Sequence, residues 1–414
     1  MRPKEYILDN GMRFIACQNP NSRTVSTGFW VGIGSRYETD ANWGICHLIE
    51  HLVFKGTKNY PTSKSVSLAI EGVGGFLNAM TGRELTAFYN KVPSRNWEIG
   101  VNILIDLLVN PLMREADIDK EREVVIEEIS TRADNYHLHA YDLLSSQMWE
   151  GNRLGKSGLG TIESLKGIDK ETIVDFMDQN YTPKNIVVSC VGNFDIREVK
   201  SLLENKFRRY SSNNWIKPAY TKVVKNQCEP KISVVDRDIA ECHLCVGLPV
   251  MSRSDKRSYS MNVASDILGG GMSSRLFQAV REKRGLAYTV NSFLNLHTDA
   301  GEMAVYAGVG RNKTKEAFSS IVEELKKFRD EGVTNKEVSD AKNQYLGGVE
   351  MMLDDSLRYS NILGETALLE GRLLNIEEET EKVMAVTKDS IDEVSGQFIN
   401  SNNLNLIIIN PKKL

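Results

Sequence analysis

The chain has 414 residues, which is too long for one ordinary hydrophobic core, so at least two domains are expected. Hydrophobic residues make up 41% and charged residues 26% of the chain, and the formal net charge is -4. This balance is typical of a globular protein and argues against nucleic acid or an anionic membrane as a partner. No apolar run reaches the length of a membrane span, and no signal or transit peptide pattern precedes the first strand, so we expect a cytoplasmic protein.

The first half of the chain alternates between strand and helix patterns. Strand patterns occupy residues 6–8, 13–16, 25–31, 74–79, 86–92 and 185–192. Helical patterns occupy residues 43–54, 95–109, 115–134 and 196–206. The polar, irregular stretch from residue 210 to residue 227 is the best candidate for a linker to the second half.

The first predicted helix contains the motif His47-x-x-Glu50-His51. On a helix, His47 and His51 lie one turn apart on one face, where both imidazoles can reach one cation. Glu50 is on the same flank, where its carboxylate can contact a water on that cation without binding the metal. The order is the reverse of the commoner H-E-x-x-H zinc motif. The alternative interpretation is an incidental histidine pair on a polar helix face.

A third ligand is expected from the acidic helix at residues 115–134. Glu121 and Glu128 are two turns apart on one stripe of this helix, whereas Glu127 is rotated by about 100° from Glu128. Glu128 is therefore the predicted ligand, with Glu121 behind it. The alternative is an acidic face that only contacts solvent.

The second half contains no H-x-x-E-H motif and is not expected to bind zinc. Its glycine-rich run at residues 269–274 lacks the Gly-Lys-Ser/Thr of a phosphate-binding loop and is predicted to form a turn before a helix. Cys242 and Cys245 have the C-x-x-C spacing, but they lie in a strand pattern that directs them to opposite faces, so we interpret them as packing residues.

A weak internal repeat favours a duplicated fold. Residues 168–173 and 386–391 are related by an offset of 218, and the same offset relates Asn185 to Asn403, each beside an apolar strand pattern. We predict an α+β fold of two similar domains, each a mainly antiparallel sheet with helices packed on one side. The predicted boundaries are 1–210 for a zinc-binding catalytic domain, 211–227 for the linker and 228–414 for a similar domain without zinc.

The motif and its long spacing resemble the pitrilysin, or insulinase, family of inverted-zincin metallopeptidases. After His47-x-x-Glu50-His51, 69 residues precede Glu121 and six more precede Glu128, and the stretches 54–57, 78–79 and 121–125 also fit the family pattern. The resemblance implies that His47, His51 and Glu128 hold one Zn²⁺ per subunit. It further implies that Glu50 activates the water and that Glu121 hydrogen-bonds a ligand histidine.

The resemblance also implies roles outside the motif. Arg281 would hold the substrate backbone, and Tyr288 would hydrogen-bond the carbonyl oxygen as it becomes an oxyanion; read from the residues alone, both are ordinary surface positions. Asn78 and Ala79 would bind an extended peptide, although Asn78 also fits a turn. The implied function is a zinc endopeptidase that cleaves peptides or unfolded segments in the chamber of a homodimer with composite active sites. The alternative is a non-catalytic or heteromeric partner subunit of the same fold.

Overall fold

The computed structural model of the chain describes residues 2–208, 215–224 and 227–412. The strands are β1 (Lys4–Ile7), β2 (Arg13–Gln18), β3 (Thr24–Val31), β4 (Phe76–Thr81), β5 (Thr86–Pro93), β6 (Ile186–Gly192), β7 (Lys231–Arg237), β8 (Glu241–Val250), β9 (Ala287–Leu296), β10 (Gly301–Gly310) and β11 (Asn405–Pro411). The α-helices are α1 (Ile45–Val53), α2 (Ser63–Glu71), α3 (Trp97–Val109), α4 (Glu115–Asp134), α5 (Tyr136–Met148), α6 (Ile162–Gly167), α7 (Lys170–Asn180), α8 (Ile196–Lys206), α9 (Ser258–Gly269), α10 (Thr314–Asp330), α11 (Asn335–Asp354), α12 (Ser356–Glu370), α13 (Ile376–Met384) and α14 (Lys388–Phe398). A π-helical segment spans Phe277–Glu282.

The strands form two sheets with matching topology. The first sheet has the order β1-β2-β6-β3-β5-β4, and the second has the order β7-β11-β8-β10-β9. In the first, β2 and β6 are parallel; in the second, β7 and β11 are parallel; all other neighbours are antiparallel. Apart from β1, the five strands of each sheet therefore correspond in order and direction. The prediction of an α+β fold with mainly antiparallel sheets is confirmed.

The internal repeat coincides with two equivalent helices. α7 follows the capping residue Asp169, whose side chain accepts a hydrogen bond from the main-chain N–H of Thr172. α14 follows Thr387, which accepts one from the N–H of Ser390. Both helices have 11 residues, and their first residues, Lys170 and Lys388, differ by the offset of 218. The cap supplies a partner for a main-chain donor that the first helical turn leaves unsatisfied.

The chain folds into two compact units that are discontinuous in sequence. The first unit comprises residues 1–129, 157–220 and 349–375, and the second comprises residues 130–156, 221–348 and 376–414. Each unit thus includes one segment from the other half of the sequence. The contiguous boundaries at 210 and 228 stay a prediction, and residues 211–214 and 225–226 of the predicted linker lie outside the described residues.

In the first unit, the segment from the second half is α12, which packs on β3 and β6. Three small residues one turn apart, Ser356, Ser360 and Gly364, face the sheet. Ser356 Oγ lies 2.8 Å from Ser26 Oγ, Ser360 Oγ lies 2.9 Å from Ser189 Oγ, and Gly364 lies against the indole of Trp30. Because these side chains are small, the helix backbone approaches the sheet closely.

The opposite face of the same sheet is covered by α3, which packs on β3 and β5. This side contains the main apolar core of the unit, which includes Phe29, Phe88, Leu104 and Leu108, each at most 1% exposed. The alternation of strand side chains therefore separates the main apolar core under α3 from the face under α12, where Ser26, Ser189 and Trp30 lie. The prediction of helices on one side only is therefore wrong for this sheet, because α12 from the other half of the sequence covers its second face.

In the second unit, the segment from the first half is α5, which packs on β8 and β11. Ala140 and Leu144 are buried there, and a Cβ at Gly247 would lie 2.7 Å from Leu144 Cδ1, so this position in β8 favours glycine. Cys245 belongs to the cluster under α5, whereas Cys242 belongs to the main core of the unit. The two cysteines thus lie on opposite faces of β8, as the strand pattern predicts.

Within the part of the chain that the structure describes, no helix combines the length and the apolar composition that a membrane crossing requires.

Candidate metal centre

The start of α1 fixes the position of the H-x-x-E-H motif. Gly44, immediately before the helix, has a left-handed φ of 95°, and a Cβ there would lie 2.7 Å from the carbonyl oxygen of Leu159. The buried carboxylate of Glu38 accepts hydrogen bonds from the N–H groups of Gly44 and Cys46, both at 2.9 Å. A negative charge at a helix N-terminus satisfies unpaired donors and is stabilised by the helix dipole.

The helix itself buries its apolar face and leaves the two histidines partly accessible. Leu48, Ile49 and Leu52 are at most 1% exposed, whereas the side chains of His47 and His51 are 12% and 22% exposed. The imidazole centroids are 4.6 Å apart, as expected for residues one turn apart on a helix. The motif therefore presents two imidazoles side by side, with Glu50, on a helix whose other residues are all buried.

Glu128 from α4 lies opposite both histidines. Its Oε2 is 3.7 Å from His47 Nε2 and 3.6 Å from His51 Nε2. Two ligands on a tetrahedral zinc ion with bonds of about 2.0–2.1 Å are about 3.4 Å apart, so these separations suit a shared ion better than direct hydrogen bonds.

The donor atoms of His47, His51 and Glu128 all lie within 4.8 Å of one another. Within residues 2–208, 215–224 and 227–412, this is the one group of three or more histidine, cysteine or acidic side chains that converges in this way. Two imidazole nitrogens and one carboxylate oxygen form a donor set that zinc accepts, and several other divalent ions accept it too. The residues therefore fit a divalent metal.

Glu121 supports His51 from behind. Its side chain is 3% exposed, and its Oε2 lies 3.3 Å from His51 Nδ1, while its Oε1 pairs with Lys55 Nζ at 2.5 Å. A carboxylate at Nδ1 favours the imidazole tautomer that carries its proton there. The Nε2 lone pair of His51 is then directed toward Glu128, as metal binding requires.

Glu50 lies beside the donor cluster, and its carboxylate accepts a hydrogen bond from a hydroxyl group. Thr81, the last residue of β4, donates its hydroxyl proton to Glu50 Oε2. Burial raises the pKa of Glu50, and nearby Glu128 adds to this effect, while the Thr81 hydrogen bond and His51 oppose it. A carboxyl group whose pKa is raised toward neutrality is suited to take up and release a proton.

Asn78 and Ala79 lie on β4, which forms an edge of the first sheet in the described part of the chain. The Asn78 side chain is exposed, and its Oδ1 accepts a hydrogen bond from the main-chain N–H of Ala79 at 2.9 Å. The same strand ends at Thr81, so the residues predicted to bind peptide and the partner of Glu50 share one strand.

Arg281 and Tyr288 belong to the second unit. Arg281 is in the π-helical segment, and its guanidinium carbon lies 5.2 Å from the ring centroid of Tyr288 and 4.8 Å from that of Phe277. Tyr288, in β9, is 76% exposed. The structure therefore places the two predicted substrate-binding residues together on the surface of their unit.

The residues behind the cluster were not identified from the sequence. Lys55 belongs to the stretch that fits the family pattern, but the spacing gives no sign of its ion pair with Glu121. Glu38 is seven positions before the first residue of α1, too far for an N-cap pattern, and Thr81 is 30 positions after His51. Only the folded chain brings these side chains to the motif.

Comparisons with known proteins agree over almost the whole chain. Residues 13–162 match the family model described as Insulinase (Peptidase family M16), and residues 167–345 match the model described as Peptidase M16 inactive domain. An uncharacterized zinc protease of Streptomyces coelicolor is 31% identical over 412 residues, which cover 98% of this chain and 89% of that protein. The chain belongs to the insulinase family, peptidase family M16. The family resemblance of the motif is thereby confirmed.

Another M16 relative with a similar description is YmxG, an uncharacterized zinc protease of Bacillus subtilis. It is 31% identical over 408 residues, which cover 99% of this chain and 98% of that protein. The names of both relatives associate zinc and proteolysis with chains of this length.

Solved structures extend the likeness to the fold. The crystal structure of a protease from Helicobacter pylori matches with a TM-score of 0.92 at 22% identity and covers 99% of this chain and 100% of that chain. A peptidase M16 inactive domain from Pseudomonas fluorescens matches with a TM-score of 0.91 at 15% identity and covers 100% of this chain and 98% of that chain. At these identities the match shows the M16 fold, with its two similar domains.

Proposed function

We propose that this M16 protein is a zinc-dependent endopeptidase that hydrolyses peptides or unfolded segments bound in an extended conformation. The observation that carries the proposal is the convergence of His47 Nε2, His51 Nε2 and Glu128 Oε2, with Glu50 beside them. The zinc-protease names of its relatives support zinc as the metal. The single donor cluster of the described residues supports a stoichiometry of one ion per chain.

The residues around the cluster suit peptide-bond hydrolysis. Zinc bound to such a donor set makes water more acidic and polarises a carbonyl group. The Thr81 hydroxyl orients the Glu50 carboxylate, which would take the proton of the attacking water and pass it to the leaving nitrogen. Burial raises the pKa of Glu50, which suits a carboxyl group that first accepts and then returns a proton.

The open edge of β4 supports an extended substrate. A peptide that adds to this edge gains main-chain hydrogen bonds, and Asn78 and Ala79 are the strand residues that we assign to this role. The Ala79 N–H already donates to Asn78 Oδ1, so the incoming backbone replaces a local hydrogen bond. Since β4 also ends at the partner of Glu50, the bound backbone leads toward the proton acceptor.

Arg281 and Tyr288 complete the proposed site. Their adjacent side chains suit a substrate backbone and a developing oxyanion, respectively. Following the family resemblance, we propose a homodimer with composite sites, in which the zinc cluster of one subunit acts with Arg281 and Tyr288 of the other. Substrate is then enclosed in a chamber between subunits.

The proposal is tested on the purified chain with two measurements. Zinc content by mass spectrometry is expected to be one ion per chain, and an unstructured peptide is expected to be cleaved at internal bonds. Chelation should abolish cleavage, and added zinc should restore it. A chain that binds both zinc and the peptide but does not cleave the peptide would instead support the alternative of a non-catalytic or heteromeric partner subunit.

A further inference from the structure

We propose that Lys55 is a positioning residue of the candidate metal centre. Its amine orients the carboxylate of Glu121, which in turn orients the imidazole of His51. The inference rests on the proposed function, because it concerns how tightly the cluster of His47, His51 and Glu128 binds its metal.

The contacts form a chain of three side chains. Lys55 Nζ lies 2.5 Å from Glu121 Oε1, and Glu121 Oε2 lies 3.3 Å from His51 Nδ1. Each carboxylate oxygen therefore has its own partner: Oε1 pairs with the amine of Lys55, and Oε2 lies against the imidazole of His51. Because the Glu121 side chain is only 3% exposed, water contributes little to its orientation.

The positive charge of Lys55 offsets the negative charge of the carboxylates around the candidate metal centre. Glu50, Glu121 and Glu128 are three carboxylates around two imidazoles, and a buried carboxylate is costly unless a cation or hydrogen-bond donors compensate it. Without Lys55, Glu121 would gain by turning toward water. It would then no longer accept the Nδ1 proton of His51, and the orientation of Nε2 toward the metal would be lost.

Main-chain hydrogen bonds also connect Lys55 to the end of α1 and, through Arg114, to the start of α4. The N–H of Lys55 donates to the carbonyl of Leu52 at 3.0 Å, at the end of α1. Its carbonyl accepts a hydrogen bond from Arg114 Nη2 at 3.0 Å, and Arg114 Nε pairs at 2.5 Å with Asp117 in the first turn of α4. Lys55 thus connects the histidine helix to the glutamate helix through both its backbone and its side chain.

The test replaces Lys55 with methionine, which keeps an unbranched apolar side chain and removes the charge. We expect the Kd for zinc, measured by competition with a chromophoric chelator, to rise about tenfold, the lower end of what losing a partner of a ligand costs. Lys55→Arg should recover most of the affinity. Lys58→Met, at an exposed lysine three residues further on, is the matched control and should bind zinc like the wild type.

A double-mutant cycle separates positioning from general destabilisation. In a Glu121→Gln background, Lys55→Met should cause no further loss of zinc affinity, because its effect passes through Glu121. An equal loss in both backgrounds, or wild-type affinity in Lys55→Met, would overturn the inference; Lys55→Gln serves in the same cycle if the methionine variant fails to fold. A wild-type chain that binds no zinc would instead contradict the proposed function itself.

Discussion

At the scale of residues, the seven-residue spacing of Glu121 and Glu128 distinguishes Glu128 from its neighbour Glu127. The structure places Glu128 Oε2 within 3.7 Å of both histidine Nε2 atoms, while Glu127 is exposed. This outcome could be predicted because helix geometry is local and periodic. Lys55, Glu38 and Thr81 could not be predicted, since their contacts depend on how separate elements approach α1.

The first prediction compares adjacent carboxylates. Glu128→Gln should weaken zinc binding by more than about 100-fold, because loss of a ligand should cost more than loss of a partner behind one. Glu127→Gln is the matched control, one position away on the same helix, and should leave the affinity unchanged. Chelator competition measures both. Equal losses in the two variants would show that the charge of the helix matters and not the position of Glu128.

At the scale of elements, sequence patterns predict the bounds of some helices but miss the helix that the second half of the sequence contributes to the first unit. The bounds of α4 and α8 follow from the sequence pattern, whereas no pattern marks α12. Its contact surface combines Ser356, Ser360 and Gly364, which face the first sheet, with the apolar residues Tyr359, Leu363 and Ala367. Small and polar residues on the buried side of this helix interrupt its apolar positions, so hydrophobic periodicity gives only a weak signal.

The second prediction concerns this close approach. Gly364→Ala should destabilise the protein by about 1–3 kcal/mol, since the new methyl group would overlap the indole of Trp30, which donates to Ser189 Oγ at 2.9 Å. Gly347→Ala in α11 is the control, because a Cβ there meets nothing within 4 Å. It should stabilise by up to about 1 kcal/mol through helix propensity.

The measurement is thermal unfolding followed by circular dichroism. The two glycine variants should shift the melting temperature in opposite directions. A Gly364→Ala variant as stable as Gly347→Ala would contradict the tight packing of α12 on β3.

At the scale of the whole molecule, the two units share a strand order but differ in chemistry. The donor cluster of the described residues lies in the first unit, and the exposed pair of Arg281 and Tyr288 lies in the second. The repeat with its offset of 218 indicated the duplication. It could not indicate that the units are discontinuous, because sequence similarity follows chain order and the exchanged segments are set by packing.

The third prediction tests the composite homodimer. Glu50→Gln and Tyr288→Phe chains, each nearly inactive alone, should regain about one quarter of wild-type activity when mixed equally. Random pairing makes half of the dimers mixed. In each mixed dimer, one of the two sites combines the intact Glu50 of one chain with the intact Tyr288 of the other. Subunit exchange is verified with two affinity tags. The native mass should correspond to two chains.

Wild-type chains mixed with chains that carry both Glu50→Gln and Tyr288→Phe provide the control for this experiment. If each site were built within one chain, half of the activity would remain there and the two single variants would regain nothing when mixed. That pair of results, with exchange shown to occur, would contradict the shared site.

The central claim is that Glu50 moves the proton for hydrolysis at a zinc centre that it does not itself bind. The direct test is the rate of unstructured-peptide cleavage by Glu50→Gln and wild-type chains loaded with equal zinc. We expect equal zinc affinity in the two chains and a rate lower by at least about 100-fold in the variant, the scale of general acid–base catalysis. A zinc-loaded Glu50→Gln chain that cleaves the peptide at the wild-type rate would contradict it.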